Sequence, residues 1–259
     1  MLQDDPSFIG ILPAAGLATR LRPFRYPKEL LPIVYVTDGD SARVRPRLVA
    51  EYALDAMRKA GIPRCFIVIS EWKTEIFRYF GNGMEMGIQI AYLHQPVANG
   101  LVGAISTGMQ WFGNSYVCLT LPDTIFFPMN AIAVLRKEIL ISGSDLILGV
   151  FPTAEPEHLG PVRIAADGCV LEVLDKPAQT ELYNTWGNAI WSQRFTQFLQ
   201  DYLNTHPEAP EHSIGEIFNH AVTQGLKVDA VFFGEGQYID IGRVEGIGSL
   251  VLSNGHAWQ

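Results

Sequence analysis

The chain is short of cysteine, of histidine pairs and of basic charge, and each shortage closes off a class of function. Its three cysteines, Cys65, Cys118 and Cys169, lie far apart, and the first two fall inside the apolar runs CFIVIS and YVCLTL, which read as buried strands. Neither a disulfide framework nor a zinc site built on close ligand pairs is expected. The six histidines form no pair at helical ligand spacing, and His94, His158 and His220 read as surface or packing residues. No apolar run approaches the ~20 residues that span a bilayer, and no basic start leads into a signal-like segment. The expected setting is therefore cytoplasmic, with no membrane partner. Lys and Arg number 19 against 27 Asp and Glu, a net charge of −8. That argues against a nucleic-acid surface, which needs a basic stripe to neutralise phosphates. G-x-x-x-x-G-K-[ST], G-x-G-x-x-G and G-x-S-x-G are all absent, which weakens kinase, dehydrogenase and serine-nucleophile readings.

At 48% hydrophobic and 18% charged, the 259 residues can bury one sizeable core. A single domain over residues 1–259 is expected. Buried-strand runs at Phe8–Leu12, Cys65–Ile69, Tyr116–Leu121 and Leu146–Val150 alternate with helical spacing at Leu48–Ala60, Thr74–Phe80, Gly100–Phe112 and Ala131–Ile141. This rhythm predicts an α/β fold with a mostly parallel sheet. After residue 150 the pattern changes. Val162–Ala165 and Val170–Leu174 flank the turn Ala166-Asp167-Gly168 and read as a hairpin. A strand near Thr185–Trp191, helices at Arg194–Asn204 and Ile214–Gln224, a strand at Val228–Phe233 and a last helix from Val244 complete the prediction. Asp38-Gly39-Asp40-Ser41 and residues 206–212 read as surface loops.

Ligands of open parallel sheets bind beyond the carboxyl ends of the strands, so polar residues just after apolar runs are the first suspects. Pro13-Ala14-Ala15-Gly16-Leu17-Ala18-Thr19-Arg20 follows the first run, with Pro27-Lys28-Glu29-Leu30-Leu31-Pro32 downstream. Small residues let backbone N–H groups approach a phosphate chain, and Arg20 and Lys28 can supply charge to a phosphoryl-transfer transition state. A tight turn with two solvated cations explains the same letters. Seven of the 19 basic residues stand in the first fifty positions against five acids, which favours an anionic ligand there. Asp123 in Leu121-Pro122-Asp123-Thr124 and Asp240 in Tyr238-Ile239-Asp240-Ile241-Gly242 also follow apolar runs. Two such carboxylates suit a phosphate-bound Mg2+, and each alone also reads as a turn residue or helix cap. In Gln95-Pro96-Val97-Ala98-Asn99-Gly100, the Gln95 amide offers the donor and acceptor that a pyrimidine edge requires and Gly100 leaves room for base or ribose. The alternative is a polar loop in which Asn99 caps the next helix.

Taken together, ILPAAGLATRLRP and YPKELLPI resemble the signature G-x-G-T-R-x-x-P with downstream P-K of the sugar-1-phosphate nucleotidylyltransferases, the family of the glucose-1-phosphate uridylyl- and thymidylyltransferases. The similarity continues in family order through YFGNGMEMGIQIAYLHQPVANGLVGAI, LTLPDTIFF, LGPV, VLDKP and YIDIG, over roughly residues 8–250. The resemblance implies a Rossmann-like, mostly parallel mixed sheet flanked by helices, of the nucleotide-diphospho-sugar transferase type. It implies a nucleotide-binding half over about 8–150 and a sugar-binding half, with the small hairpin, over about 151–259.

It further implies transfer of a nucleoside monophosphate from UTP or dTTP to a hexose 1-phosphate, glucose 1-phosphate by default, with Mg2+ as cofactor. By resemblance, Arg20 serves the triphosphate, Lys28 the α-phosphate, and Asp123 and Asp240 the metal. Ala14, Ala15, Gly16, Ala18, Thr19, Gln95 and Gly100 contact the nucleotide. Gly160, Asp175, Lys176, Trp186, Gly187 and Asn188 face the sugar phosphate, although TWGNAIW also reads as ordinary core. The expected partners are an NTP and a sugar 1-phosphate, and self-association into a homo-oligomer is left open. Departures from the family pattern are Ala18 for its second glycine, a shorter stretch from Arg20 to Lys28, Asp175 for the commoner Glu, and an apparent insertion at Thr37–Arg45 before Arg45-Pro46. A non-catalytic homologue that binds a nucleotide or sugar nucleotide and regulates a partner is the contrasting class.

Overall fold

The fully apolar run Phe8–Pro13 forms strand β1 and is buried on both faces, as a central strand of a parallel sheet must be. In the computed structural model, which describes residues 6–16, 26–37, 44–207 and 211–242, β1 pairs in parallel with β4 (Arg64–Ile69) and β6 (Tyr116–Thr120). Outward from β4 lies β5 (Gln89–His94), also parallel. On the other side, β11 (Asn184–Trp191) runs antiparallel to both β6 and β8 (Leu146–Pro152), and β12 (Val228–Phe232) closes the sheet parallel to β8. The seven-stranded order is β12-β8-β11-β6-β1-β4-β5. A mostly parallel mixed sheet is thus what the alternating pattern predicted, with β11 as its antiparallel member.

Alternation along β1 assigns the helices to two faces. Phe8 and Leu12 pack with α1 (Val49–Lys59) and α4 (Ala131–Ser142). Ile9 and Ile11 pack with α3 (Gly100–Phe112), α5 (Gln193–Thr205) and α6 (Ile214–Thr223). Helix α2 (Thr74–Phe80) buries Ile76 and Phe80 against the first of these layers. The hairpin predicted around Gly168 is present as β9 (Val162–Ile164) and β10 (Val170–Val173).

Two further ribbons were not visible as strands in the sequence. Strands β2 (Pro32–Thr37) and β3 (Val44–Leu48) pair antiparallel, so the apparent insertion belongs to a hairpin whose connecting residues 38–43 lie outside the described set. Strands β7 (Thr124–Phe127) and β13 (Gln237–Asp240) also pair antiparallel, with Asp240 opposite Thr124. The helix expected from Val244 lies outside the described residues. Cys65 and Cys118 are buried free thiols whose burial raises their pKa above the ordinary value, and Cys169 is free as well. No helix among the described residues is long and apolar enough to cross a membrane.

Candidate active site

Three charged side chains from distant segments meet at the mouth of a cleft beyond the carboxyl ends of the strands. Lys28 lies on a 3-10 turn, Lys28–Leu30, held by Leu30 N–H to Pro27 O (3.0 Å) and Leu31 N–H to Lys28 O (3.0 Å). Asp123 stands between β6 and β7, and Lys28 Nζ donates to its Oδ2. The β7–β13 ribbon then delivers Asp240 beside it, fastened by Ile241 N–H to Asp123 O (2.9 Å) and Gly242 N–H to Asp240 Oδ1 (2.7 Å). A β-carbon at Gly242 would stand 2.9 Å from Asp240 Oδ1, 3.0 Å from Asp123 Oδ2 and 3.0 Å from Lys28 Nζ. The glycine backbone is thus the surface against which all three groups converge, and the two carboxylate oxygens are no farther apart than the sum of those first two distances.

Burial alone would lower the Lys28 pKa, but Asp123, by charge and hydrogen bond, with Glu29 and Asp240, outweighs it and holds the ammonium above its ordinary value. Lys28 is therefore a fixed positive charge rather than a base. Tyr238 lines the cleft with the two aspartates; burial pushes its phenol up, and Asp240 and Asp123 add to the effect. Its ring stacks on Phe151 at 5.9 Å, and at Gly187 a β-carbon would come within 2.5 Å of it. Gly187 thus belongs to the floor under Tyr238.

The cleft has a volume of about 260 Å³, and Asp123, Asp240, Gly160, Asp175, Lys176 and Trp186 all line it. Gly160 O accepts from Trp186 N–H at 3.0 Å, and Gly160 closes directly on the indole edge. Lys176 takes a left-handed backbone conformation, φ 45°, pinned by its N–H to Leu159 O at 2.9 Å. Asp175 accepts from Ser213 Oγ at 2.7 Å, and Ser213 also caps α6 by accepting from Glu216 N–H at 3.4 Å. The start of α6 therefore sets where the Asp175 carboxylate points. No group of three or more His, Cys, Asp and Glu side chains suited to a metal ion occurs among the described residues. The donor set of Asp123 and Asp240 instead fits a Mg2+ that takes its remaining ligands from phosphate and water.

The proposed nucleotide residues are arranged less uniformly. Gly16 is exposed, with open space where a β-carbon would point. Ala14 and Ala15 are buried, and Ala14 N–H already donates to Val68 O at 2.8 Å, so a row of free N–H groups cannot begin at Ala14. Ala18, Thr19 and Arg20 lie outside the described residues. Gln95 is buried, and its amide donates to Asn99 Oδ1 (2.6 Å) and Gly100 O (3.4 Å). Asn99 consequently does not cap α3 with its side chain. Gly100 has φ 83° and touches the Glu211 carboxylate rather than facing the cleft directly.

One expectation needs correction. Asn188 does not line the sugar side of the cleft: the pairing of β11 with β8 shifts register between Trp186 and Asn188, and Asn188 is fully buried opposite Thr120. His158 is exposed, as its surface reading expects, and it also lines the cleft. Sequence reasoning also missed Glu211 and His212, which sit in no motif, and Thr185, which opens TWGNAIW but was not singled out, as lining residues. His220 is a packing residue, 5.2 Å from the Tyr202 ring.

The family model described as nucleotidyl transferase matches residues 9–251. The chain is 28% identical over 173 residues to a glucose-1-phosphate thymidylyltransferase of Neisseria gonorrhoeae, covering 66% of this chain and 56% of that protein. It is 27% identical over 250 residues to a UTP–glucose-1-phosphate uridylyltransferase of Synechocystis, covering 89% and 59%. It thus spans little more than half the length of these curated relatives. Among solved structures, a putative glucose-1-phosphate thymidylyltransferase of Bacillus anthracis superposes with TM-score 0.81 at 19% identity, covering 94% of each chain. A UTP-bound UDP-glucose pyrophosphorylase of Acinetobacter baumannii does so with TM-score 0.76 at 19% identity, covering 95% and 92%. At that identity these two establish the shared fold.

Proposed function

The chain belongs to the nucleotidyl transferase family, and from that premise we propose that it is a sugar-1-phosphate nucleotidylyltransferase. It would transfer a nucleoside monophosphate from UTP or dTTP to a hexose 1-phosphate, glucose 1-phosphate by default, and release pyrophosphate. The observation that carries this reading is the convergence of Lys28, Asp123 and Asp240 on Gly242, in the cleft that also holds Asp175 and Lys176.

A sugar 1-phosphate is ionised near neutral pH, so its oxygen needs no protein base to attack the NTP α-phosphorus in line. Positioning and charge neutralisation are the work left to the protein. Lys28, fixed as a cation, faces the α-phosphate as charge moves onto the departing pyrophosphate. Lys176 holds the phosphate of the attacking sugar, and Asp175, braced by Ser213, accepts from a sugar hydroxyl. Arg20, assigned by resemblance and outside the described residues, serves the pyrophosphate. Asp123 and Asp240 would hold Mg2+, which supplies neutralisation of the phosphate oxygens when bound. Uracil and thymine differ by one methyl, worth about 1–3 kcal/mol in an apolar pocket, so UTP and dTTP stand together as donors.

Pyrophosphate release measured with UTP, dTTP and the other NTPs against a panel of sugar 1-phosphates, with and without Mg2+, tests the proposal. Metal-dependent turnover with a pyrimidine nucleotide is the expected result. Binding without turnover across the panel replaces it with the non-catalytic reading.

A further inference from the structure

Behind Lys28 lies a second ion pair, in the interior. A 3-10 turn has about three residues per revolution, so consecutive side chains diverge by about a third of a turn. On the Lys28–Leu30 turn, Lys28 faces the cleft, Leu30 enters the core, and Glu29 points inward with 1% exposure. There Glu29 Oε1 accepts from Lys73 Nζ at 2.6 Å, and Lys73 is itself only 6% exposed. Lys73 comes from another 3-10 turn, Glu71–Lys73, just beyond the carboxyl end of β4 and held by Lys73 N–H to Ser70 O at 3.1 Å. A tether thus runs from the central sheet through Lys73 and Glu29 to the backbone that carries Lys28.

Stability is a poor explanation for this pair. Taking two charges out of water costs about what their attraction returns, and an apolar pair of similar volume serves a fold as well or better. Here the match is also incomplete, because Glu29 Oε2 is buried with no hydrogen-bond partner. Burial pushes the Glu29 carboxyl up, and Lys73 opposes this by charge and hydrogen bond. What the pair provides is direction: an ionic contact fixes the rotation of the turn about its axis, which the non-directional apolar packing of Leu30 would not.

We propose that Lys73 is a positioning residue for Lys28, acting through the buried Glu29 carboxylate; the inference rests on reading Lys28 as the α-phosphate lysine. Lys73 touches no substrate. Its effect is to hold the Lys28–Leu30 turn in the orientation that points Lys28 at the site of transfer.

The test uses Lys73→Met, Lys73→Arg and the double variant Glu29→Gln/Lys73→Met in the full chain. Three quantities are read: kcat and KM for each substrate, the thermal midpoint, and hydrogen exchange at the amides of Leu30 and Leu31. Lys73→Met is expected to lower kcat by up to about 100-fold, with KM for the sugar 1-phosphate unchanged because Lys176 belongs to another part of the cleft. Lys73→Arg should restore most of the loss. The double variant removes the stranded buried charge, so it should recover the thermal midpoint while kcat stays low and the Leu30 and Leu31 amides exchange faster than in wild type. A double variant with wild-type kcat and wild-type exchange overturns the proposal and leaves the pair a packing feature. If the wild-type chain turns over no substrate pair, the reading of Lys28 fails separately. Exchange at Leu30 and Leu31 in the double variant then decides the tether by itself, faster exchange upholding it and unchanged exchange overturning it.

Discussion

Lys176 combines a strained backbone with a charged tip, and the two properties can be separated by one substitution. A non-glycine residue at φ 45° costs about 1–2 kcal/mol relative to a glycine in the same place. Lys176→Gly is therefore expected to leave thermal stability unchanged or slightly raised, while KM for the sugar 1-phosphate rises at least tenfold. A melting curve together with initial rates checks both halves, and a fall in stability with unaltered KM would assign the lysine to packing. Gly242 presents the opposite case. Its φ is one that any residue can adopt, yet a β-carbon there would press on Asp240, Asp123 and Lys28 at 2.9–3.0 Å. Gly242→Ala is expected to fold normally and to lose up to about 100-fold in kcat, the loss that a misplacement of about 1 Å at a reacting centre brings. Wild-type kcat in a folded Gly242→Ala protein would show that the three groups need no such close convergence.

At the scale of elements, α1 is fastened to the β2–β3 ribbon by charge. Arg45 grips Glu51 through contacts of 2.8 and 3.0 Å, and Asp55 accepts from Arg47 (3.2 Å), Arg58 (2.7 Å) and Lys59 (2.8 Å). Burial would raise the Asp55 pKa, but hydrogen bonds from Lys59 and Arg58 and the charges of Lys59 and Arg47 hold it below the ordinary carboxylate value. A carboxyl depressed in the folded state stabilises fully above its unfolded value, and that contribution is lost as pH falls through the folded value. Asp55→Asn should therefore cost roughly 0.5–1 kcal/mol at pH 7 and progressively less in acid, as pH falls from the ordinary carboxylate value through the lower folded one. Denaturant midpoints at pH 7 and in acid decide it, and an equal cost in both would assign Asp55 to hydrogen bonding alone.

Elements of this kind differ in how far the sequence shows them. The runs that became β1, β4, β6 and β8 were legible because strands buried on both faces must be continuously apolar. The β7–β13 ribbon was not, since each strand has four residues and its partner lies more than a hundred positions away; only tertiary pairing defines it. The site divides in the same way. Lys28, Asp123 and Asp240 could be nominated from their motifs, whereas Lys73 sits in no motif and precedes a short helix. Its burial depends on Glu29 arriving from a different turn. Asn99 shows a local rule overridden: it stands at the N-cap of α3, but its side-chain oxygen accepts from Gln95 instead of capping the helix.

For the whole molecule the governing fact is charge. On the proposed function, a protein of net charge −8 has to bind two phosphorylated anions, and the described part of the cleft does not itself reverse that sign. Asp123, Asp175, Glu211 and Asp240 line it, against Lys176 and the adjacent Lys28, which is already paired with Asp123. In a narrow cleft these carboxylates repel a triphosphate across distances too short for salt to screen. Without a divalent cation, Asp123 and Asp240 should therefore hinder nucleotide binding rather than assist it. The double variant Asp123→Asn/Asp240→Asn is expected to bind UTP about tenfold more tightly than wild type in the presence of a chelator, a gain of about 1.4 kcal/mol. In Mg2+ the same variant should lose turnover. Titration calorimetry in chelator gives the first quantity and pyrophosphate release the second. Weaker metal-free binding by the variant would mean that the aspartates hold the nucleotide through hydrogen bonds, and the electrostatic role assigned to them would fall.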